Sequence, residues 1–244
     1  MIDLSVIMPV YNAGSYPQGW FDKAINSVLD QPINVEVCIG DDGSTDDALD
    51  AFYMGFNRNV HVVRVGEEPT GGSRAGRAAA NIATGRYRII LSCRSWYFEN
   101  SLAAMVKYLD DNPQFTFTYG DTFLHFPNGK TVNKIPPPFE KKRFIKSFPC
   151  SFGYMYRSEY HHQGAEYGCE IFAEDEQRWF SIGDHFLLAQ IIQLGGVGKY
   201  MEDLAVLNYR YGHKAQSSDS LGKYRKQLYS EFYRLLRSKN VEVS

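Results

Sequence analysis

The stretch Val35-Glu36-Val37-Cys38-Ile39-Gly40-Asp41-Asp42-Gly43-Ser44-Thr45 decides how the rest of the chain is read. A short apolar run ends in two adjacent carboxylates. A Gly-Ser turn follows, and then Asp46 and Asp47, where a helix is expected to begin. In open α/β sheets ligands bind outside the carboxyl ends of the strands, and Asp41 and Asp42 stand at such an end. Carboxylates there can accept hydrogen bonds from a base edge or a sugar hydroxyl. They could instead cap the next helix, as Asp and Ser commonly do. Ser44 or Thr45 can fill that role without them, so ligand binding is the favoured reading.

Outward from this stretch the chain alternates strand and helix signals. Leu4 to Val10 reads as a buried strand ended by Pro9, with Tyr11 to Gly14 as the loop at its end. Asp22 to Leu29 has helical spacing and stops before Pro32. The carboxylate loop leads to an expected helix from Asp46 to Phe56, then a strand over Val60 to Val65. Gly71 and Gly72 turn into an Ala-rich helix ending at Gly85. Tyr87 to Ser92, Ser101 to Leu109 and Phe115 to Tyr119 continue as strand, helix and strand. This alternation argues for βαβ units and a mostly parallel sheet.

Past Gly120 the pattern weakens. Phe126 to Lys130 reads as a hairpin turn, and Ile135 to Phe139 as an extended proline segment. Phe152 to Tyr160 is a candidate strand, Ile182 to Leu194 a helix, Leu204 to Tyr209 a last strand and Tyr224 to Leu236 an amphipathic helix.

The 244 residues allow one large domain, and the formal net charge of −2 gives no global pull toward nucleic acid or anionic membranes. The run Glu140 to Lys146 is locally basic, as solvated faces often are. Cys38, Cys93, Cys150 and Cys169 show no paired or zinc spacing, which fits a reduced, cytoplasmic protein. No apolar run approaches the roughly 20 residues needed to span a bilayer, and no signal peptide is legible.

Four features, taken together, resemble an inverting family 2 glycosyltransferase of the GT-A fold. They are Ser5 to Asn12, Asp41 to Asp46, the Gly-Gly, Arg, Ala segment ending Thr84-Gly85-Arg86-Tyr87, and Gly183-Asp184-His185 followed by Tyr209-Arg210-Tyr211-Gly212-His213. The resemblance implies an α/β GT-A (nucleotide-diphospho-sugar transferase) fold with helices on both faces of a mostly parallel sheet. Residues 1–215 would form one domain, split into a nucleotide half (1–120) and an acceptor half (121–215), with 216–244 a helical extension. Pro9, Tyr11, Asn12 and Asp41 would hold the donor nucleotide, with Asp42 assisting. Arg77, or Arg74 one turn earlier, would reach the base or the phosphates from a glycine-opened helix start.

The family normally closes its fourth strand with an Asp-x-Asp motif that holds a divalent metal on the diphosphate. Here that place reads Ser92-Cys93-Arg94. Magnesium and manganese want oxygen ligands, usually carboxylates, so no metal ligand is assigned and metal dependence stays open. A guanidinium is always charged and grips phosphate oxygens with a fork of donors. Arg94 is therefore expected to stabilise the leaving diphosphate, beside Ser92. Arg94 could instead pair with Asp41 or Asp42.

Inverting transfer needs a carboxylate to take the proton from the acceptor hydroxyl. Asp184 matches the family's position for that base, with Glu174, Asp175 and Glu176 as fallbacks. His213, with Lys214, would touch phosphate. Trp96 and Trp179 are the leading acceptor-contact candidates, with Tyr154, Tyr156, His161 and His162 beside them. The expected donor is a UDP-sugar, and the expected acceptor is a glycan hydroxyl. The rivals are an inactive nucleotide-sugar binder or partner subunit and, at lower weight, an enzyme acting on modified bases in nucleic acid.

Overall fold

The computed structural model describes residues 1–55, 59–150, 153–175, 178–211 and 218–238. The strands are β1 (Leu4–Val10), β2 (Val35–Asp41), β3 (Val60–Arg64), β4 (Tyr87–Ile90), β5 (Ser95–Tyr97), β6 (Phe117–His125), β7 (Thr131–Lys134), β8 (Tyr154–Arg157), β9 (Glu170–Ala173), β10 (Arg178–Ser181) and β11 (Gly198–Arg210). The helices are α1 (Trp20–Leu29), α2 (Asp50–Tyr53), α3 (Gly72–Ile82), α4 (Ser101–Asp111), α5 (Lys141–Ser147), α6 (Glu159–His162), α7 (Gly183–Gln193) and α8 (Ser218–Ser238).

The central sheet runs β3-β2-β1-β4-β8-β6-β11-β5, with β7 hydrogen-bonded to β6. From β3 to β4 every pairing is parallel. β8 then enters antiparallel to both β4 and β6, so β6 and its parallel neighbour β11 run the same way as β1. The carboxyl ends of β1, β2, β4, β6 and β11 therefore open onto one edge, where α/β sheets take their ligands.

Pro9 does not end β1, contrary to the expectation from sequence. Parallel pairing with β4 stops at Ile7, whereas pairing with β2 continues to Val10. The amide that proline lacks would face the β4 side, where the partner strand has already finished. The helix expected from Asp46 to Phe56 shrinks to the single turn α2. Asp46 accepts from the amides of Gly14 and Ala48, which fixes it in the loop instead of a helix start.

Helix α1 buries Phe21, Ala24, Ile25 and Val28 at 3.6-residue spacing. It shares one apolar layer with α4, and α3, α7 and α8 pack into the other. Small residues let α3 sit close: a Cβ on Gly40 would stand 1.9 Å from the Ala75 carbonyl oxygen. In α8, Leu228, Phe232 and Leu236 are fully buried. His185 of α7 lies under Phe148, Tyr229 and Phe232, with the Phe144 and Ile145 carbonyls at its Nε2. Burial pushes its pKa down to about 4, so a neutral imidazole ties α7 to α5 and α8. All four cysteines are buried and free.

Candidate active site

The loops after β1 and β2 are laced together. Asn12 has left-handed backbone (φ 49°), and its amide donates to Ser44 Oγ at 3.0 Å. Its side-chain oxygen accepts from the Thr45 amide at 2.7 Å. The Gly14 amide donates to Asp46 at 2.9 Å, adding a third tie. Pro9 and Tyr11, both half-buried, flank this lacing.

Asp41 and Asp42 divide their labour. Asp41 is fully buried and accepts from the Ser44 amide (2.8 Å), the Tyr53 hydroxyl (2.6 Å) and the Arg64 guanidinium (3.0 Å). Burial alone would raise its pKa. The bonds from Ser44 and Tyr53 and the Arg64 charge outweigh that, and the net shift is downward. A base edge reaching Asp41 Oδ2 must therefore compete with Tyr53 or Arg64. Asp42 accepts from the amide and hydroxyl of Thr70 and the amide of Gly71, all within 2.9 Å. It fixes the approach to α3.

At the end of β4, Ser92 Oγ lies 3.1 Å from Ser95 Oγ, closing a tight turn that presents Arg94. The Arg94 guanidinium sits 5.0 Å from the Tyr209 ring. Burial raises the Tyr209 hydroxyl pKa; the Arg94 charge opposes that shift and Asp184 adds to it. Arg94 and Asp184 thus both act on one phenol. Tyr16, raised to about 12 chiefly by burial, feels Cys93, Arg94 and Tyr209 in turn.

Asp184 occupies the first turn of α7, where the helix N-terminus favours a carboxylate. Its side chain accepts from the His185 amide at 2.9 Å. Burial nevertheless pushes its pKa up to about 6, beyond what backbone donors recover. The start of α7 is held against α3: the Ser73 hydroxyl bonds the Gly168 carbonyl and the Ser181 hydroxyl. A Cβ on Gly183 would stand 2.3 Å from Ser73 Oγ and 3.1 Å from the Gly168 carbonyl oxygen, so a side chain there would displace the Ser73 hydroxyl from its bonds. The Tyr154 hydroxyl donates to the Asp184 carbonyl at 2.8 Å.

The arginines of α3 turn to the 166–170 segment. Arg74 bonds Glu170 at 3.2 Å and lies 5.1 Å from the Trp179 ring. Arg77 donates to the Tyr167 carbonyl at 2.7 Å and pairs with Glu166 at 3.6 Å. Trp179 therefore stands beside α3. Trp96 does not join it. Trp96 is the cross-strand partner of Asn208, so it shares a sheet face with Asn208 and Arg210, opposite Tyr209. The two expected acceptor tryptophans lie on different surfaces.

Asp175 pairs with Lys223 and Tyr224 of α8, which takes it out of the acidic run considered as a base. Glu176, His213 and Lys214 lie outside the described residues. Burial first, then the charges of Arg88 and His162, lower His161 to about 4. Tyr53, Arg64, Thr70 and Tyr209 escaped sequence reading as site residues. Only Tyr209 carried a signal, its place in the Tyr-Arg-Tyr motif.

A divalent metal does not suit this donor set. Ser92 is tied to Ser95, and Arg94 is itself a cation. Among the described residues, no group of three or more His, Cys, Asp or Glu side chains could hold a metal.

The sequence profile described as "Glycosyl transferase family 2" matches residues 5–162. Chondroitin synthase of Pasteurella multocida (strain Pm70) is 36% identical over 85 residues, 34% of this chain and 8% of that protein. Glycosyltransferase GlyG of Streptococcus pneumoniae is 30% identical over 112 residues, 44% of this chain and 35% of GlyG. The chain thus matches a minor part of the length of these relatives. S. aureus TarS 1-349 in complex with UDP-GlcNAc aligns with TM-score 0.69 and 16% identity, over 100% of this chain and 68% of that one. The complex of TarS 1-349 with UDP aligns with TM-score 0.64 and 18% identity, over 97% of this chain and 72% of that one. Among the described residues, no helix is long and apolar enough to cross a membrane. The match over residues 5–162, with a GT-A sheet around it, makes this chain a member of glycosyltransferase family 2.

Proposed function

We propose that the protein transfers a sugar from a UDP-sugar to a hydroxyl of a glycan acceptor, with inversion, in a single displacement. The observation that carries this reading is Asp184, a carboxylate with pKa raised to about 6 at the start of α7, sharing Tyr209 with Arg94. A base with such a pKa is ionised at neutral pH yet holds a proton well enough to take one in the transition state.

In the step, the acceptor oxygen bonds to the anomeric carbon from the side opposite the diphosphate. Its proton passes to Asp184, and the carbon–oxygen bond to the β-phosphate breaks with its electron pair leaving on UDP. Arg94 meets the charge that develops on the leaving diphosphate, a role that preformed cations perform well in a dry cleft. The laced loops around Pro9, Tyr11 and Asn12 receive the nucleoside, with Asp41 at the base edge. Arg74 and Arg77 hold the 166–170 segment against α3 and so shape the cleft wall. Residues 1–120 serve the donor, 121–215 the acceptor, with 216–244 as the helical extension, and the four free thiols favour a cytoplasmic setting.

The deciding experiment pairs UDP calorimetry with UDP release from UDP-GlcNAc and related donors, for wild type and Asp184→Asn. The expected outcome is unchanged UDP binding with release lost in the variant, and a wild-type kcat/KM that rises through about pH 6. Equal release by Asp184→Asn removes Asp184 as the base. UDP binding without release by the wild type favours the inactive nucleotide-sugar binder.

A further inference from the structure

On the face of β11 opposite Tyr209, cations and aromatic rings are stacked. The Arg210 guanidinium lies 4.1 Å from the Trp20 ring and 4.4 Å from the Trp96 ring. Lys23 Nζ approaches the same Trp96 ring to 3.9 Å. His125 stacks on Trp96 at 5.1 Å, its two ring nitrogens engaged by Asn208 and Thr131.

Two cations on one indole repel each other. Burial and then the charge of Arg210 lower the Lys23 pKa. Among the described residues no carboxylate pairs with either cation, whereas Arg64, Arg74, Arg77 and Arg86 each have one. Arg210 Nη1 is buried and has no acceptor among the described residues. A buried donor left unmade is costly. Cation–π contact accounts for the stacking, but it satisfies neither the in-plane N–H groups of a guanidinium nor the excess charge. Among the described residues the cluster lacks an anion with oxygen acceptors.

We propose that Lys23 and Arg210, held over the shared indole of Trp96, bind an oxyanion, the phosphate or carboxylate group of a ligand, on the face of β11 opposite Tyr209. A guanidinium stacked between rings keeps its rim of donors in one plane, which suits phosphate and carboxylate oxygens. The ammonium of Lys23 adds a second, movable donor from the exposed side of α1. The cluster sits at the carboxyl ends of β6 and β11, the edge onto which the donor loops also open. It adds to the transfer reading without depending on it.

The test is a titration with inorganic phosphate, glucuronic acid, glucose and sodium chloride at matched ionic strength. Tryptophan emission reports the binding, because Trp20 and Trp96 are two of the three indoles in the chain. Phosphate or glucuronate should change emission saturably, and glucose and chloride should not. Lys23→Gln and Arg210→Gln should each weaken the response roughly tenfold or more, the usual effect of losing a charge-assisted bond. Lys23 is exposed, so Lys23→Gln tests the site without disturbing the core, and Arg210→Lys should restore part of the affinity.

A response to phosphate alone makes the ligand group a phosphate, and a response to glucuronate alone makes it a sugar acid. Neither responding, chloride matching them, or Lys23→Gln binding like wild type overturns the proposal. UDP calorimetry on the same variants keeps the two readings apart. Loss of UDP binding in Lys23→Gln would assign the cations to the donor site and overturn the proposal. A wild type that takes phosphate but not UDP would sink the transfer reading and leave this one standing.

Discussion

Asp41, at the end of β2, and Asp184, in the first turn of α7, are both carboxylates under pressure from burial, and their protons behave in opposite ways. Burial pushes both carboxyls upward, yet the Asp41 pKa falls while the Asp184 pKa climbs to about 6. The donors around each set the balance: Asp41 faces an amide, a phenol and a guanidinium that outweigh its burial, whereas backbone amides alone oppose the burial of Asp184. Under the proposed function, the nucleotide end is a locked acceptor of hydrogen bonds, and the transfer end a carboxylate left able to take a proton.

The sharpest way to break this contrast is Asp184→Asn, expected to cut UDP release by about 10²–10⁴-fold, the range for a general base. Steady-state rates beside UDP calorimetry read it, and a loss of both together would mean that Asp184 holds the donor. Arg94→Ala should lower kcat by about 10²–10³-fold, as loss of one preformed charge-stabilising group does. Arg94→Lys, which keeps the charge but not the fork, should fall between.

Stability gives the next test. Well below pH 4 Asp184 is protonated folded and unfolded, and its burial is neutral. As pH rises through about 4 toward about 6 the unfolded chain ionises first, and stability is lost. At pH 8 Asp184→Asn should therefore unfold later in urea than wild type, by up to about 3 kcal/mol, a gain that vanishes by about pH 3. Equal gains at both pH values would point to packing instead. Asp42→Ala should cost about 2 kcal/mol, since one carboxylate holds three donors ahead of α3. The smallest effect belongs to Tyr53→Phe. Freeing Asp41 Oδ2 from the phenol should tighten UDP binding several-fold, about 1 kcal/mol, and weaker binding would make Tyr53 part of the nucleotide site.

The first half of the fold was legible because each parallel strand and its helix carry their own apolar period. Val35 to Ile39 announced β2, and the glycine pair at Gly71 announced α3. The second half was not, because its strands serve distant partners. β8 slips antiparallel between β4 and β6, and β5 is three residues held by β11. β11 runs 13 residues, but the register shift between Tyr200 and Ala205 breaks its alternation. The basic run at Lys141 became α5, capped by Glu140, whose carboxylate accepts from the Lys142 and Arg143 amides. At the site, Asp184 could be matched from its position after Gly183. Arg64 could not be linked to Asp41, 23 residues earlier, before the β2–β3 register was known. Trp96 read as an acceptor platform because composition does not say which face of a strand an indole occupies.

The four buried cysteines give this molecule a built-in stopwatch. Burial lifts Cys38, Cys93 and Cys169 to about 12 and Cys150 higher still, so a thiol reagent at neutral pH meets almost no thiolate in the closed molecule. Labelling then proceeds only as fast as each thiol is uncovered. Because Cys93 adjoins Arg94, and Cys38 lies inside β2, the ratio of their labelling rates separates breathing of the cleft from opening of the sheet. Any ligand that settles on the β4 turn will slow the first clock and leave the second running.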